Sequence, residues 1–219
     1  MLAASPLTDR IFAAVLFDLD STLVDSSAAV DRSWRRWAAE YDLTEADVGE
    51  HAGLPSRETV ARLLAPEDVD VGAALIEQLE LTDTYGVVAL PGAAEAMAAV
   101  PADRQAVVTS CTAALASARL TAAGLAPPRV VVTVDRLRRG KPAPDGYLLA
   151  AAELGSAAPD CLVVEDSATG ISAARSAGCA VLAVATTTTA DRLSADLVVG
   201  TLADVRFTAD RGGVRLSRP

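Results

Sequence analysis

The stretch Val15-Leu16-Phe17-Asp18-Leu19-Asp20-Ser21-Thr22-Leu23-Val24-Asp25 decides the fold. It is an apolar run that ends in two carboxylates one residue apart, Asp18 and Asp20. A strand buried on both faces does not accommodate acidic side chains, so these acids are predicted to lie where the backbone leaves the sheet. That edge is where open α/β sheets bind their ligands.

After residue 100 the sequence alternates short apolar segments with Ala-rich segments of helical length. This alternation is typical of βαβ units, and therefore of a parallel sheet covered by helices. The predicted strands are 106–109, 130–134, 161–164, 180–184 and 197–199, and the predicted helices are 93–100, 113–123, 143–154, 168–177 and one near residue 191. The polar, Gly-containing segment 206–219 receives no assignment.

The segment between the first strand and residue 90 differs from the rest because nothing in it alternates as a strand would. Val30, Trp34 and Trp37 recur at helical spacing and predict a packing face. We therefore predict an α/β fold with a Rossmann-like, three-layer parallel-sheet core made of residues 1–24 and 90–219. Residues 25–89, here called the helical insert, are predicted to form an inserted α-helical cap domain that sets substrate specificity.

The amino-acid composition argues against several classes of protein, among them nucleic-acid-binding and membrane-spanning proteins. The 219 residues are 51% apolar and 22% charged, as expected of a globular protein with a large core. A formal net charge of -10 without a basic block argues against nucleic acid as a partner. No apolar run approaches the roughly 20 residues of a membrane helix, and the first residues lack the features of an export signal. We expect a cytoplasmic monomer or weak homodimer that does not bind a membrane.

The cysteine and histidine content favours carboxylates as the functional groups of the site. The thiols of Cys111, Cys161 and Cys179 are odd in number and widely spaced, which predicts reduced core residues. Because His51 is the only histidine, neither a zinc site of common spacing nor a Ser/His/Asp triad is supported.

Polar residues follow four of the predicted strands, and the ends of parallel strands meet at one edge of the sheet. Clustered carboxylates stay ionised only around a cation, and an all-oxygen set of this kind suits Mg²⁺, which also binds substrate phosphate. Lysine would add a positive charge for the phosphate, and serine would add a hydroxyl at a helix N-terminus. The residues concerned are Asp18, Asp20, Ser110, Lys141, Glu165 and Asp166.

This arrangement predicts phosphoryl transfer. Asp18 is assigned as the nucleophile that forms an aspartyl-phosphate, because cationic neighbours would offset its repulsion from the phosphate. Asp20 is assigned as the acid that protonates the leaving alcohol and then deprotonates the attacking water. Simpler interpretations remain open for two residues: Ser110 as an N-cap and Lys141 as a solvated turn lysine.

Four segments resemble the motifs of the haloacid dehalogenase superfamily, in the order in which that superfamily carries them: Phe17-Asp18-Leu19-Asp20-Ser21-Thr22, Val108-Thr109-Ser110, Lys141-Pro142 and Val164-Glu165-Asp166-Ser167-Ala168-Thr169-Gly170. The match runs from about residue 13 to 184, and the helical insert resembles the type-1 cap of that superfamily. The resemblance implies the roles given above for Asp18 and Asp20, and phosphate binding by Ser110 and Lys141. It also implies that Asp18, Asp166 and the Asp20 carbonyl hold Mg²⁺, with Glu165 acting through water.

Further segments resemble the sugar-phosphate phosphatase branch of the superfamily: Ser33-Trp34-Arg35-Arg36-Trp37, Leu90-Pro91-Gly92, Arg139-Gly140-Lys141-Pro142-Ala143-Pro144-Asp145 and Ala177-Gly178-Cys179. That branch includes 2-deoxyglucose-6-phosphate, hexitol-phosphate and glycerol-phosphate phosphatases. The sequence departs from the pattern at Ser21, where glycine is usual, and at His51-Ala52-Gly53, where His-Gly and a basic residue are common.

The implied activity is Mg²⁺-dependent hydrolysis of small phosphorylated sugars or polyols. His51 and Arg57 are the candidates for substrate contact in the helical insert; the alternatives are a loop hydrogen bond for His51 and an exposed first-turn residue for Arg57. A phosphosugar mutase of the β-phosphoglucomutase type is an alternative hypothesis, although Val30 stands where that type carries histidine. A non-catalytic phosphometabolite-binding protein is another. A dehalogenase is disfavoured, because its relatives lack the second acid.

Overall fold

A computed structural model describes residues 7–48 and 55–218 of the chain. Its strands are β1 Ile11–Phe12, β2 Ala14–Phe17, β3 Val24–Asp25, β4 Val88–Ala89, β5 Gln105–Val108, β6 Val130–Val132, β7 Cys161–Glu165, β8 Ala180–Val184, β9 Leu197–Val199, β10 Arg206–Asp210 and β11 Gly213–Ser217. Its α-helices are α1 Ser27–Glu40, α2 Glu45–Val48, α3 Ser56–Leu63, α4 Val69–Thr82, α5 Ala93–Ala99, α6 Ala113–Ala122, α7 Asp145–Glu153 and α8 Ala168–Ser176.

The main sheet has six parallel strands in the order β6-β5-β2-β7-β8-β9. Its strands are short and almost wholly apolar, as strands covered on both faces must be. Because side chains alternate along a strand, Val15 and Phe17 pack into one hydrophobic cluster while Ala14 and Leu16 pack into another. The first cluster includes residues of α5 and α6 and the second includes residues of α7 and α8, so the predicted three-layer α/β core is confirmed.

The helices α1 to α4 lie between β3 and β4, which pair antiparallel. These helices have a hydrophobic cluster of their own, which contains Trp34 and Trp37. The two indole rings meet edge to face, with centroids 5.2 Å apart, and Trp37 donates a hydrogen bond of 2.8 Å to the Gly72 carbonyl. The prediction that both tryptophans are packing residues is confirmed. The assignment of catalysis to the core and of substrate specificity to the helical insert stays a prediction.

A second sheet extends the core in a way that the sequence analysis did not predict. The hairpin β10–β11 pairs antiparallel with β1, in the order β1-β11-β10. Phe207 of this hairpin meets Phe17 of the central strand β2, with ring centroids 6.0 Å apart. The hairpin therefore covers part of one face of the main sheet.

Of two further predictions, the one for a helix near residue 191 is wrong and the one for the cysteines is confirmed. The helix predicted near residue 191 is wrong, because that position carries only a 3-10 turn at Ala190–Arg192. Four threonines precede the turn, and β-branched residues disfavour helix. The three cysteines are free and buried, as predicted. Among the described residues, no helix has the length and apolar character to cross a membrane.

Candidate active site

The carboxyl ends of β2 and β7 bring three acidic side chains together. Phe17 is in register with Val164 across these neighbouring strands, so Asp18 lies beside Glu165 and Asp166. All three residues are buried, and one carboxylate oxygen from each lies within 4.8 Å of the others. Such a set of hard oxygen donors fits a divalent cation, which would offset the repulsion between the carboxylates.

Lys141 reaches this cluster from the loop that follows β6. Its Nζ lies 2.5 Å from Asp18 Oδ1 and 2.6 Å from Glu165 Oε1, and it donates a longer bond of 3.3 Å to the Val108 carbonyl. The lysine is buried as well. The site therefore places one fixed positive charge directly against Asp18, where a phosphoryl group would have to approach.

Glu165 is held rigidly by its surroundings. Its Oε2 accepts hydrogen bonds from the backbone N–H of Asp166 at 2.9 Å and from the N–H and hydroxyl of Ser167, both at 3.0 Å. Its Oε1 accepts a bond of 2.9 Å from the Tyr147 hydroxyl. A Cβ at Gly170 would stand 1.6 Å from that oxygen, so only glycine fits where α8 passes the carboxylate. Tyr147 escaped the sequence analysis because a tyrosine in an apolar helix has the pattern of a core residue.

The pKa values of these acids reflect their burial and their mutual repulsion. Burial raises the pKa of the Asp18 carboxyl well above its ordinary value, although Lys141 acts to lower it. Burial, and then the Glu165 charge, raise the pKa of Asp166 to about 7. The Lys141 ammonium overcomes burial at Glu165 and keeps the pKa of that carboxyl low. A divalent cation would reverse the first two shifts by favouring the ionised carboxylates.

Asp166 has two hydroxyl neighbours. Thr22 Oγ1 donates to Asp166 Oδ1 at 3.4 Å, and the Thr187 hydroxyl bonds Oδ2. Both threonines come from loops at the same edge of the sheet, one after β2 and the other after β8. These bonds orient the carboxylate towards Asp18.

The Asp20 carboxylate has a separate set of partners. Its Oδ1 accepts a hydrogen bond of 2.7 Å from Ser26 Oγ, and its Oδ2 lies 3.0 Å from the Cys111 thiol and 2.6 Å from Arg119 Nη1. Burial opposes the charge on Arg119, but the carboxylate of Asp20 and the neighbouring Cys111 and Glu80 outweigh it and raise the pKa of the guanidinium. Asp20 is therefore close to Asp18 in the sequence, but its carboxylate is bound by Ser26, Cys111 and Arg119. Its predicted metal contact is through the backbone carbonyl, and that contact stays a prediction.

Arg119 is the functional candidate that the sequence analysis missed. A signal was present, because helix α6 buries Leu115, Ala116 and Leu120 together with Arg119, so the arginine stands on the apolar face. A charged residue there requires a buried partner.

Ser110 and Lys141 line the same small crevice next to Tyr147. Ser110 follows β5 and is half-buried, as expected of a residue at the strand edge. The structure thus brings both predicted phosphate binders to the edge that carries Asp18, and their binding of phosphate stays a prediction.

The two candidates of the helical insert are placed differently. Arg57 is exposed and forms an ion pair with Asp70 of α4. The start of α3 nevertheless lies near the site, because a Cβ at Gly140 would stand 3.2 Å from the Pro55 ring. His51 lies outside the described residues.

Comparison with known proteins agrees with the sequence motifs. A family model for haloacid dehalogenase-like hydrolases matches residues 15–184. Hexitol phosphatase A of Escherichia coli (strain K12) is 40% identical over 211 residues, which are 90% of this chain and 95% of that protein. Glycerol-1-phosphate phosphohydrolase 1 of Saccharomyces cerevisiae is 30% identical over 200 residues, which are 85% of this chain and 79% of that protein. A hydrolase from Pseudomonas syringae has a similar fold, with a TM-score of 0.79 at 23% identity over 88% of this chain and 95% of that one. These matches confirm the resemblance that the four motifs predicted.

Proposed function

Because the chain belongs to the haloacid dehalogenase-like hydrolase family, we propose that it hydrolyses phosphate monoesters of small sugars or polyols through an aspartyl-phosphate on Asp18. The observation that carries this proposal is the position of Asp18, a buried carboxylate with Lys141 Nζ at 2.5 Å and two further acids beside it. A carboxylate in contact with an ammonium and next to a cation site can attack an anionic phosphoryl group.

In the first half-reaction an oxygen of Asp18 forms a bond to phosphorus while the bond from phosphorus to the alcohol oxygen breaks. Lys141 compensates the negative charge around the phosphoryl oxygens, and Asp20 gives its proton to the departing alcohol. In the second half-reaction Asp20 takes a proton from water, whose oxygen bonds to phosphorus as the bond to Asp18 breaks. Phosphate leaves, Asp18 is again an ionised carboxylate, and Asp20 is again protonated, as departure of the next alcohol requires.

The cofactor is proposed to be Mg²⁺. Asp18, Asp166 and the Asp20 carbonyl would hold it, with Glu165 acting through water, and it would supply charge neutralisation at the phosphoryl oxygens. Support comes from the donor set, which consists of buried carboxylates of the kind that hard cations bind. Ser110 is proposed to donate to the phosphate from the end of β5.

The substrate class is proposed from the relatives. The names of the two relatives, hexitol phosphatase A and glycerol-1-phosphate phosphohydrolase 1, specify hexitol and glycerol-1-phosphate phosphatase activities. Both names describe phosphate esters of small polyhydroxy alcohols, and we extend that class to this chain. Arg57 and His51 of the helical insert remain candidates for contacting the rest of the substrate. We place the enzyme in the cytoplasm as a monomer or weak homodimer, and three reduced cysteines are compatible with that compartment.

The variant Asp18→Asn tests the proposal. It keeps the shape of the side chain but removes its nucleophilicity, so phosphate release from hexitol phosphates and glycerol phosphate should fall at least about 1000-fold. Asp25→Asn is the matched control, since this exposed aspartate accepts a hydrogen bond from Ser27 N–H and lies outside the acidic cluster; it should retain wild-type turnover. Phosphate release is measured with and without a chelator, and circular dichroism checks the fold.

Substantial turnover by Asp18→Asn would disprove the nucleophile assignment. Turnover that survives thorough removal of divalent cations would disprove the metal assignment. A hexose 1-phosphate followed by phosphorus NMR, with a trace of bisphosphate, distinguishes a mutase: isomerised hexose phosphate without free phosphate would contradict a hydrolase.

A further inference from the structure

Arg119 joins the catalytic edge of the core to the helical insert. It is buried in α6, and its guanidinium contacts side chains from three different parts of the chain. Nη1 lies 2.6 Å from Asp20 Oδ2 and 2.9 Å from the Cys111 sulfur, while Nη2 lies 3.1 Å from Glu80 Oε1. Asp20 follows the central strand, whereas Glu80 belongs to helix α4 of the insert.

The carboxylates of Asp20 and Glu80 are coupled through the rigid guanidinium of Arg119. A guanidinium is planar, so its two terminal nitrogens cannot follow separate partners in different directions. If α4 moves and takes Glu80 with it, Arg119 must either turn away from Asp20 or lose Glu80. Loss of one partner leaves a buried charge incompletely compensated, which is costly.

Glu80 is itself tied to the insert. Its second oxygen, Oε2, accepts a hydrogen bond of 3.4 Å from Ser56 Oγ at the start of α3. The neighbouring Glu77 of α4 accepts a bond of 2.6 Å from Thr112 Oγ1 at the start of α6. Among the residues that the structure describes, two polar links thus connect α4 with α6, and the one through Arg119 continues to Asp20.

We propose that Arg119 is the positioning residue for Asp20, and that Glu80 makes this position depend on how the helical insert is seated on the core. Proton transfer by Asp20 is then efficient only when α4 lies against α6. The inference rests on the proposed function, because it presupposes that Asp20 protonates the leaving alcohol.

Buried ion pairs alone do not imply this role, since well-packed apolar side chains often stabilise a fold as well as a buried ion pair does. The test must therefore separate positioning from stability. General-acid catalysis matters most when the leaving group is a poor one. A positioning defect should thus slow hydrolysis of an alkyl phosphate such as glycerol phosphate far more than that of p-nitrophenyl phosphate, whereas a general loss of structure should slow both alike.

The experiment compares kcat/KM for the two substrates in wild type, Asp20→Asn, Arg119→Met, Arg119→Lys and Glu80→Gln. This ratio of constants reports the steps up to departure of the alcohol, so slow hydrolysis of the intermediate does not mask the effect. Arg136→Met is the matched control, because that arginine forms a partly exposed ion pair with Glu153. Thermal melts and circular dichroism accompany each variant.

We expect Asp20→Asn and Arg119→Met to lower kcat/KM for glycerol phosphate at least about tenfold more than for p-nitrophenyl phosphate. Arg119→Lys should restore part of the loss, and Glu80→Gln should show a smaller loss in the same direction. Combining Glu80→Gln with Arg119→Met should add nothing to Arg119→Met alone, since Glu80 acts through the arginine. Arg136→Met should leave both substrates unchanged.

The outcomes separate the two hypotheses. If Asp20→Asn discriminates between the substrates while the Arg119 and Glu80 variants lower both equally or neither, the positioning role is overturned and the proposed function stands. If Asp20→Asn itself fails to discriminate, the acid assignment within the proposed function is overturned and the inference falls with it. Should Arg119→Met not fold, Arg119→Lys and Glu80→Gln decide by the same criterion.

Discussion

Ser21 adopts a left-handed backbone conformation, with φ of 61°. It lies in the tight turn after Asp20, where its N–H donates a hydrogen bond of 2.7 Å to the Val24 carbonyl. The Ser21 carbonyl accepts a hydrogen bond from the Thr186 hydroxyl. A residue with a Cβ is strained in this region, whereas glycine adopts it readily. The turn therefore accounts for the glycine that is usual at this position in the family.

Ser21→Gly should raise the free energy of unfolding by about 0.5–1 kcal/mol, because relief of left-handed strain exceeds the added freedom of the unfolded chain. Urea denaturation measures this change, and kcat/KM should stay within about twofold because no side-chain contact to the acidic cluster is removed. The same substitution at Ser27, in the first turn of α1, is the control and should lower stability instead. A destabilised Ser21→Gly protein would contradict the strain argument.

At the scale of elements, the hairpin β10–β11 packs on the main sheet through Phe207 of β10 and through Val214 and Leu216 of β11, which share one hydrophobic cluster with Phe17. Phe207 is 4% exposed, whereas the other residues of β10 are exposed. A single buried position in five residues gives β10 no visible alternation, whereas Val214 and Leu216 of β11 alternate with polar residues over a segment too short to be decisive. The partner strand β1 also lies at the opposite end of the described chain, and local pattern cannot reveal such a pairing.

Phe207→Ala should lower the free energy of unfolding by about 3 kcal/mol, since it removes a buried ring that packs edge to face on Phe17. Phe207 contacts Phe17, the residue before Asp18, but it supplies no group to the acidic cluster, so kcat/KM of the remaining folded protein should stay within about tenfold of the wild-type value. Denaturant unfolding and steady-state kinetics check the two halves of this expectation. Phe207→Leu serves as the conservative comparison and should cost less.

The difference between local sequence patterns and tertiary contacts also explains which active-site residues could be predicted. Asp18 and Asp166 directly follow neighbouring strands of a parallel sheet, and topology alone brings such strand ends together, whereas Lys141 reaches them from the loop between β6 and α7. Arg119 acts through the reach of a long side chain from a neighbouring helix, which depends on how α6 and α4 pack. Tyr147 likewise became visible only once α7 was placed against the main sheet, where its hydroxyl reaches Glu165. Sequence patterns specify which strand ends meet, whereas the contacts that orient the side chains depend on tertiary packing.

At the scale of the whole molecule, stability is linked to pH and to cation binding. Burial and the Glu165 charge raise the pKa of Asp166 from an ordinary value of 3.8 to about 7 in the cation-free protein. Between these values the folded state binds a proton that the unfolded chain has already lost, so the free energy of unfolding falls as pH rises through this window. The raised pKa of Asp18 acts in the same direction.

The chelator-treated protein should therefore lose about 1–3 kcal/mol of stability from about pH 5 to about pH 8. Mg²⁺ should restore most of that loss, because a bound cation favours the ionised carboxylates. Asp166→Asn should flatten the pH dependence of the chelated protein and weaken its response to Mg²⁺. Thermal melts across this pH range measure all three effects. A melting temperature that rises with pH in the chelated wild type would contradict the sign.

The antiparallel pair β3–β4 has a consequence for the way such enzymes can be recombined. Val24 is in register with Ala89, and Asp25 with Val88, so the chain departs and returns through adjacent positions. A foreign helical segment could be grafted between these two points without altering the spacing of the nucleophile and its neighbours. Such a chimera tests the predicted role of the helical insert: if the insert sets substrate specificity, the preference should follow the donor, provided that the graft supplies an acid that meets Arg119 as Glu80 does. Compatibility between donor and recipient therefore depends on the polar contacts that α4 makes with α6, namely Glu80 with Arg119 and Glu77 with Thr112.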